Sequence, residues 1–173
     1  MKLPVIALVL FMFSGVVYAA GGGPYVALNV GQSSTDTLNL SDKTATGISA
    51  MVGYQFGPHL GVEVHYIDFG SVTFQSGGSS DITGYGLSVV GTYPFDNVWS
   101  AFLRIGATHT TIKSVSSFGD VDRCNGSWGI GGQYNVTPAW GVRLSYDSYG
   151  VGAEGPLDSA KTTLTSVGVV YHF

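Results

Sequence analysis

Period-two alternation of side chains, repeated eight times, constrains this chain more than any other feature. Each repeat lasts about ten residues, the length a tilted strand needs to cross a membrane. Val26, Leu28 and Val30 alternate with Ala27, Asn29 and Gly31, and Ile48, Ala50, Val52, Tyr54 and Phe56 with Ser49, Met51, Gly53 and Gln55. Further repeats fall at 60–67, 85–93, 99–106, 128–136, 140–147 and 166–173. In each, one face is large and apolar while the other is mostly Gly, Ser, Thr or Asn. Glu63, Arg104, Gln133, Arg143 and Asp147 all sit on the small-residue face. The pattern predicts an all-β chain, an eight-stranded antiparallel up-and-down transmembrane barrel, with the large apolar face toward lipid and the small face filling a narrow lumen.

Two soluble folds also alternate. A β-sandwich buries its apolar face and needs charges outside for solubility, yet only 10% of these residues are charged. A soluble barrel carrying an apolar ligand would need large residues inward. Twenty-six glycines and twenty-two aromatics fit a lipid-facing barrel better than either.

The one continuous apolar stretch lies at the N-terminus, where Lys2 precedes an apolar run from Val5 to Phe13 and a Val17-Tyr18-Ala19 small-residue site. This predicts a signal peptide over 1–19, cleaved between Ala19 and Ala20, and a barrel domain over 20–173. An anchoring helix is the alternative, but the apolar core is short and no stop-transfer charges follow. No cysteine stands near the cleavage site to accept a lipid. The single cysteine, Cys124, is read as a loop thiol without an internal disulfide partner. Loss of Lys2 leaves a mildly acidic mature chain, which argues against nucleic-acid binding.

Connections alternate in length. Short turns are expected at Gly57-Pro58, Phe95-Asp96-Asn97 and Thr137-Pro138, and extracellular loops at 33–44, 70–81, 114–126 and 150–161. Aromatics gather near segment ends, as in interfacial belts. The last segment ends on Val169, Tyr171 and Phe173, and this alternating, aromatic-terminated strand resembles the C-terminal signal read by the barrel-assembly machinery.

Gly53-Tyr54-Gln55-Phe56-Gly57-Pro58 followed by Gly61-Val62-Glu63-Val64-His65-Tyr66 resembles the second hairpin of the OmpA transmembrane domain. Tyr93-Pro94 leading to Leu103-Arg104-Ile105-Gly106 resembles that family's central hairpin. Tyr134-Asn135-Val136-Thr137-Pro138 leading to Arg143-Leu144-Ser145-Tyr146 resembles its sixth and seventh strands. OmpX and the opacity proteins share the architecture. The chain stops at Phe173, so no peptidoglycan-binding domain is expected. The resemblance implies a charged network inside the barrel, with Glu63 at the family's glutamate and Arg143 at its arginine. The family's lysine on the first strand and glutamate on the sixth fall at Asn29 and Gln133. That implies a Glu63–Arg143 ion pair bonded to Asn29 and Gln133, with Arg104 nearby; solvation of the two charges by lumen water is the alternative.

The expected role is that of an integral outer-membrane protein with a structural or surface-contact function. Its expected partners are outer-membrane lipids and lipopolysaccharide, the assembly machinery during insertion and a surface ligand at the loops. The barrel is expected to be monomeric. A low-conductance ion channel is the runner-up, and a lipid A-modifying enzyme a minor alternative. Catalysis would require a serine and a histidine within reach. Among His59, His65, His109 and His172 only the weak His109-Thr110-Thr111 context comes close. No cofactor is expected, since no cluster has zinc or calcium ligand spacing and no glycine-rich loop joins a strand to a helix.

Overall fold

A computed structural model describes residues 22–36, 44–73, 79–114, 121–152 and 159–173. These residues form strands β1 (Gly23–Asp36), β2 (Thr44–Gln55), β3 (Leu60–Thr73), β4 (Ser79–Pro94), β5 (Trp99–Ser114), β6 (Val121–Asn135), β7 (Trp140–Gly152) and β8 (Ser159–His172). Each strand pairs antiparallel with the next, and β8 pairs with β1, so the sheet closes. The expected signal peptide and its Ala19–Ala20 cleavage site lie outside the described residues.

Register fixes the shape. A path across paired residues from Tyr25 through Gly53, Glu63, Ser88, Gly106, Ser127, Tyr149 and Thr162 returns to β1 at Thr35, ten residues beyond its start. That stagger over eight strands tilts each strand roughly 40° from the barrel axis, so each residue climbs roughly 2.5 Å.

The two faces separate sharply. Leu28 is 65% exposed, whereas its neighbours Ala27 and Asn29 are 1% and 3% exposed. Leu87, Ile105, Ile130, Leu144 and Val167 are exposed in the same way. A wall this apolar is compatible with a lipid solvent and not with water.

Two aromatic rings bound the wall. Near the tight turns, Trp99 packs on Tyr134 with centroids 4.7 Å apart and Trp140 on Tyr171 at 4.8 Å, and Tyr54–Phe56 and Tyr93–Phe95 continue the ring. Further up stand Tyr66, Tyr85, Trp128 and Tyr146, all exposed. Such rings sit at headgroup level in barrels of this kind.

The turns at 56–59, 95–98 and 136–139 fall where the sequence places them. The expected long loops do not. Strands run past the upper ring, leaving connections of 37–43, 74–78, 115–120 and 153–158. In this upper zone the outer wall turns polar. Ile67, Phe69, Tyr149 and Leu164 turn inward as a buried apolar cluster, while Gln32, Thr46, Asp68 and Thr165 face out. Outward threonine and glutamine look like loop in a hydropathy reading, yet threonine is a strong strand former. Cys124 is accordingly no loop thiol: it lies in β6 opposite His109, exposed on the outer wall.

At the start of this zone β3 carries a register shift between Asp68 and Ser71. Gly70 adopts φ +80° there, and its N–H donates to Asp68 Oδ1 at 2.9 Å. A side chain at Gly70 would be strained by the backbone and crowded by the Thr46 carbonyl at 2.7 Å.

Candidate functional site in the barrel lumen

Alternation on a closed barrel forces the polar residues of eight strands to converge on one narrow axis, where water is scarce. Glu63 on β3 is the hub. Its Oε1 accepts from Arg143 Nη1 and from the Tyr25 hydroxyl, each at 2.7 Å, and its Oε2 accepts from Arg104 Nη1 at 2.7 Å. The Nη2 of Arg104 then donates to Asp147 Oδ1 at 2.7 Å. Asp147 Oδ2 accepts from Ser145 at 2.9 Å, and Ser145 meets Ser166 at 3.0 Å. All four charged side chains are at most 5% exposed.

Two acids and two bases balance, which is what a low-dielectric lumen demands, since an unpaired charge there would cost several kcal/mol. Arg143 is also flanked by rings, with its guanidinium carbon 4.6 Å from the Phe102 centroid and 5.5 Å from that of Tyr25.

Of the residues singled out from sequence, the structure brings Glu63, Arg104, Gln133 and Arg143 together. Gln133 Oε1 accepts from Arg143 Nη2 at 3.1 Å and Nε at 3.3 Å. Arg104 is more than a neighbour, because it binds Glu63 directly. Asn29 departs from the expectation: its amide nitrogen donates to Ser49 Oγ at 3.0 Å and to the Met51 sulfur, not to the Glu63–Arg143 pair. Asn29 faces Ser49 in the register, and its short side chain is spent there. The longer Tyr25 takes the place beside Glu63, its ring lying over Gly53 where a Cβ would collide with it.

Sequence reasoning missed two members. Asp147 shares a face with Arg143 four residues earlier, a signal that was available. Tyr25 lies just before the first alternating repeat; it shares the parity of Ala27 and Asn29, but as a large aromatic it resembles the residues of the lipid-facing side.

The network separates two spaces. Toward the turns lies a vestibule of about 430 Å³, with Phe102, Arg143 and Gln133 at its inner end and Pro58, Asp96 and Pro138 near its mouth. Toward the loops, the void among His65, Ser88, Arg104, Asp147 and Tyr149 has no room for a water molecule. His65 is buried in that stretch, 2.9 Å from Thr108 Oγ1. Of the other histidines, His59 sits exposed at a turn, His172 faces Gln133 Nε2 at 3.1 Å, and His109 lies on the outer wall with its ring 5.0 Å from that of Tyr85.

At the C-terminus, Val169 and Phe173 are exposed, Tyr171 stacks on Trp140, and the Phe173 N–H donates to the Pro24 carbonyl at 3.1 Å across the seam.

The sequence matches the family described as outer membrane protein beta-barrel domain over residues 5–173. No curated protein sequence matches it. Among solved structures, Neisserial surface protein A aligns with TM-score 0.66 at 17% identity, covering 90% of this chain and all of that one. The attachment invasion locus protein Ail of Yersinia pestis, in complex with the heparin analogue sucrose octasulfate, aligns at 0.61 and 21%, covering 88% and 99%. The N-terminal β-barrel domain of Pseudomonas aeruginosa OprF aligns at 0.61 and 15%, with the same coverage. At these identities the likeness is one of fold.

Proposed function

The chain belongs to the outer-membrane β-barrel protein family and resides in the bacterial outer membrane, and from that premise we propose that it is a closed anchor whose barrel holds its surface connections in place without conducting. The observation that carries this reading is the filled lumen, in which Glu63, Arg104, Arg143 and Asp147 interlock at mid-depth. Short turns face the periplasm in such barrels, so the vestibule is periplasmic and blind.

Transport of ions is the second reading, favoured by the vestibule reaching Arg143. Single-channel recording of the protein in planar bilayers separates the two. The anchor gives no discrete conductance steps; regular steps would replace it with a channel.

The finer role proposed is contact with a surface ligand through the connections 37–43, 74–78, 115–120 and 153–158. Replacing all four with Gly-Ser turns is expected to leave a folded barrel and abolish contact with host-cell or matrix surfaces. Lipid A mass spectrometry with and without the protein tests the catalytic alternative, an unchanged profile being expected.

The reading also includes export through the signal peptide over 1–19 and insertion guided by Val169, Tyr171 and Phe173. These three alternate along the strand that closes the barrel against β1. Phe173→Ala is expected to slow insertion by the assembly machinery while leaving the folded barrel stable.

A further inference from the structure

Among the described residues that line the vestibule, Arg143 at the inner end and Asp96 near the mouth carry charge. The rest of the ionic network lies behind Arg143, with Arg104 and Asp147 bordering the dry void on the far side. Toward the vestibule the balanced network therefore presents its positive end. The cavity runs from a cation at its floor to an anion at its entrance.

Arg143 has donors to spare. A guanidinium carries five N–H groups. Nη1 donates to Glu63 and both Nη2 and Nε donate to Gln133, while the other two N–H groups meet no acceptor among the described residues. The side chain is only 5% exposed and is flanked by the Phe102 and Tyr25 rings, so these donors are held in place where water is scarce. Gln133 commits its oxygen to Arg143, so its nitrogen is the atom that meets His172 Nε2 at 3.1 Å. His172 accepts there and carries its proton on Nδ1, a further donor among the lining side chains. At the mouth, Asp96 Oδ1 is taken by the Val98 and Trp99 N–H groups, and Oδ2 has no partner among the described residues.

Opposite charges at the two ends of one cavity match a zwitterion lying along it, with a carboxylate on the guanidinium and an ammonium on the carboxylate. Length narrows the class. The Phe102 ring beside Arg143 belongs to a residue three positions above Trp99, and Asp96 sits in the turn below, which separates the two charges by roughly 12 Å. A hydrogen bond of about 2.8 Å at each end leaves roughly 6 Å for the ligand. Each residue of an extended chain spans at most about 3.5 Å, so a free amino acid is too short and two residues fit.

We infer that the vestibule is a binding site for a dipeptide with free termini, its carboxylate on Arg143 and its ammonium on Asp96. The inference goes beyond the anchor reading and takes from it only that the mouth opens to the periplasm.

The test is a titration of alanyl-alanine into the nitrogen-15-labelled mature protein in detergent micelles, followed by NMR. The Gln133 side-chain amide at the floor and the Trp99 N–H at the mouth are expected to shift together and saturate. N-acetyl-alanyl-alanine and alanyl-alaninamide each lack one end charge, and each is expected to bind about tenfold more weakly. Free alanine is expected to bind at least as weakly as either. Asp96→Asn, outside the ionic network, is expected to weaken alanyl-alanine about tenfold and to leave the acetylated peptide unchanged.

No saturable shift at Gln133 would overturn the site. Shifts at Trp99 alone would reduce it to a cation contact at the turn, and the inference would fall. Equal affinities for the free and acetylated peptides, or an equal effect of Asp96→Asn on both, would overturn the assignment of the two ends. Alanine binding as tightly as alanyl-alanine would overturn the length match. The anchor reading would survive any of these results, because bilayer conductance decides it separately.

Discussion

Arg104 and Asp147 are joined at 2.7 Å through Nη2 and Oδ1, from strands β5 and β7. Because the same guanidinium also binds Glu63, each carboxylate is coupled to the other through a shared cation. The lumen is therefore one unit, and the effect of removing a charge depends on what remains.

Glu63→Gln leaves Arg104 and Arg143 facing only Asp147, an excess cation in a dry lumen. A loss of about 3–5 kcal/mol is expected, as for other broken buried pairs. Glu63→Gln with Arg143→Met keeps the Arg104–Asp147 pair balanced and is expected to lose less. Urea unfolding in detergent micelles, or the temperature at which the folded gel band disappears, measures both; equal losses would reject the pairing.

Glycine on the two faces gives a second contrast. A methyl group at Gly129 would collide with Asp147 Oδ1, pushing the carboxylate off Arg104, whereas at Gly132 the nearest atom is the Ser100 carbonyl at 3.8 Å. Gly129→Ala is expected to cost about 1–3 kcal/mol by overpacking. Gly132→Ala, facing lipid, is expected to stay within about 0.5 kcal/mol of the parent. The same unfolding titration reads both.

The level of the membrane can be read by placing a charge. Leu103→Arg, in the middle of the lipid band, is expected to destabilise by about 2–4 kcal/mol in vesicles. Thr46→Arg, on the outer wall above the upper aromatic ring, is expected to change stability by no more than about 0.5 kcal/mol. Similar penalties at both positions would mean that the upper barrel also lies in hydrocarbon.

At the periplasmic end, Asp96 Oδ1 accepts from the Trp99 N–H at 2.6 Å and the Val98 N–H at 2.7 Å. These bonds favour the ionised form and hold the carboxyl below the usual aspartate range. A depressed folded value means that the turn's contribution is present above the unfolded aspartate value, about 3.9, and is lost as pH falls through the lower folded value. NMR of the Trp99 amide in micelles is expected to show a transition below that pH. Asp96→Asn is expected to abolish it.

Much of this molecule was legible residue by residue. Leu28 against Asn29, Val64 against Glu63 and Leu144 against Arg143 reveal inside and outside through period two alone, and Gly57-Pro58 and Thr137-Pro138 mark the tight turns. The upper barrel is harder to read because its outer wall turns polar: Thr46 and Thr163 look like loop until Phe69 and Leu164 are seen packed behind them. Asn29 was misjudged for a related reason, since alternation gives the face of a residue but not its height on the axis.

By itself, the sequence determined the number of strands and, between the two aromatic rings, which side of each meets lipid, because these follow from alternation within a single strand. Only the tertiary structure decided who meets whom there. Closure with a stagger of ten residues sets side chains from distant strands at a common depth, so that Tyr25 rather than Asn29 reaches Glu63, and Arg104 rather than solvent completes its coordination.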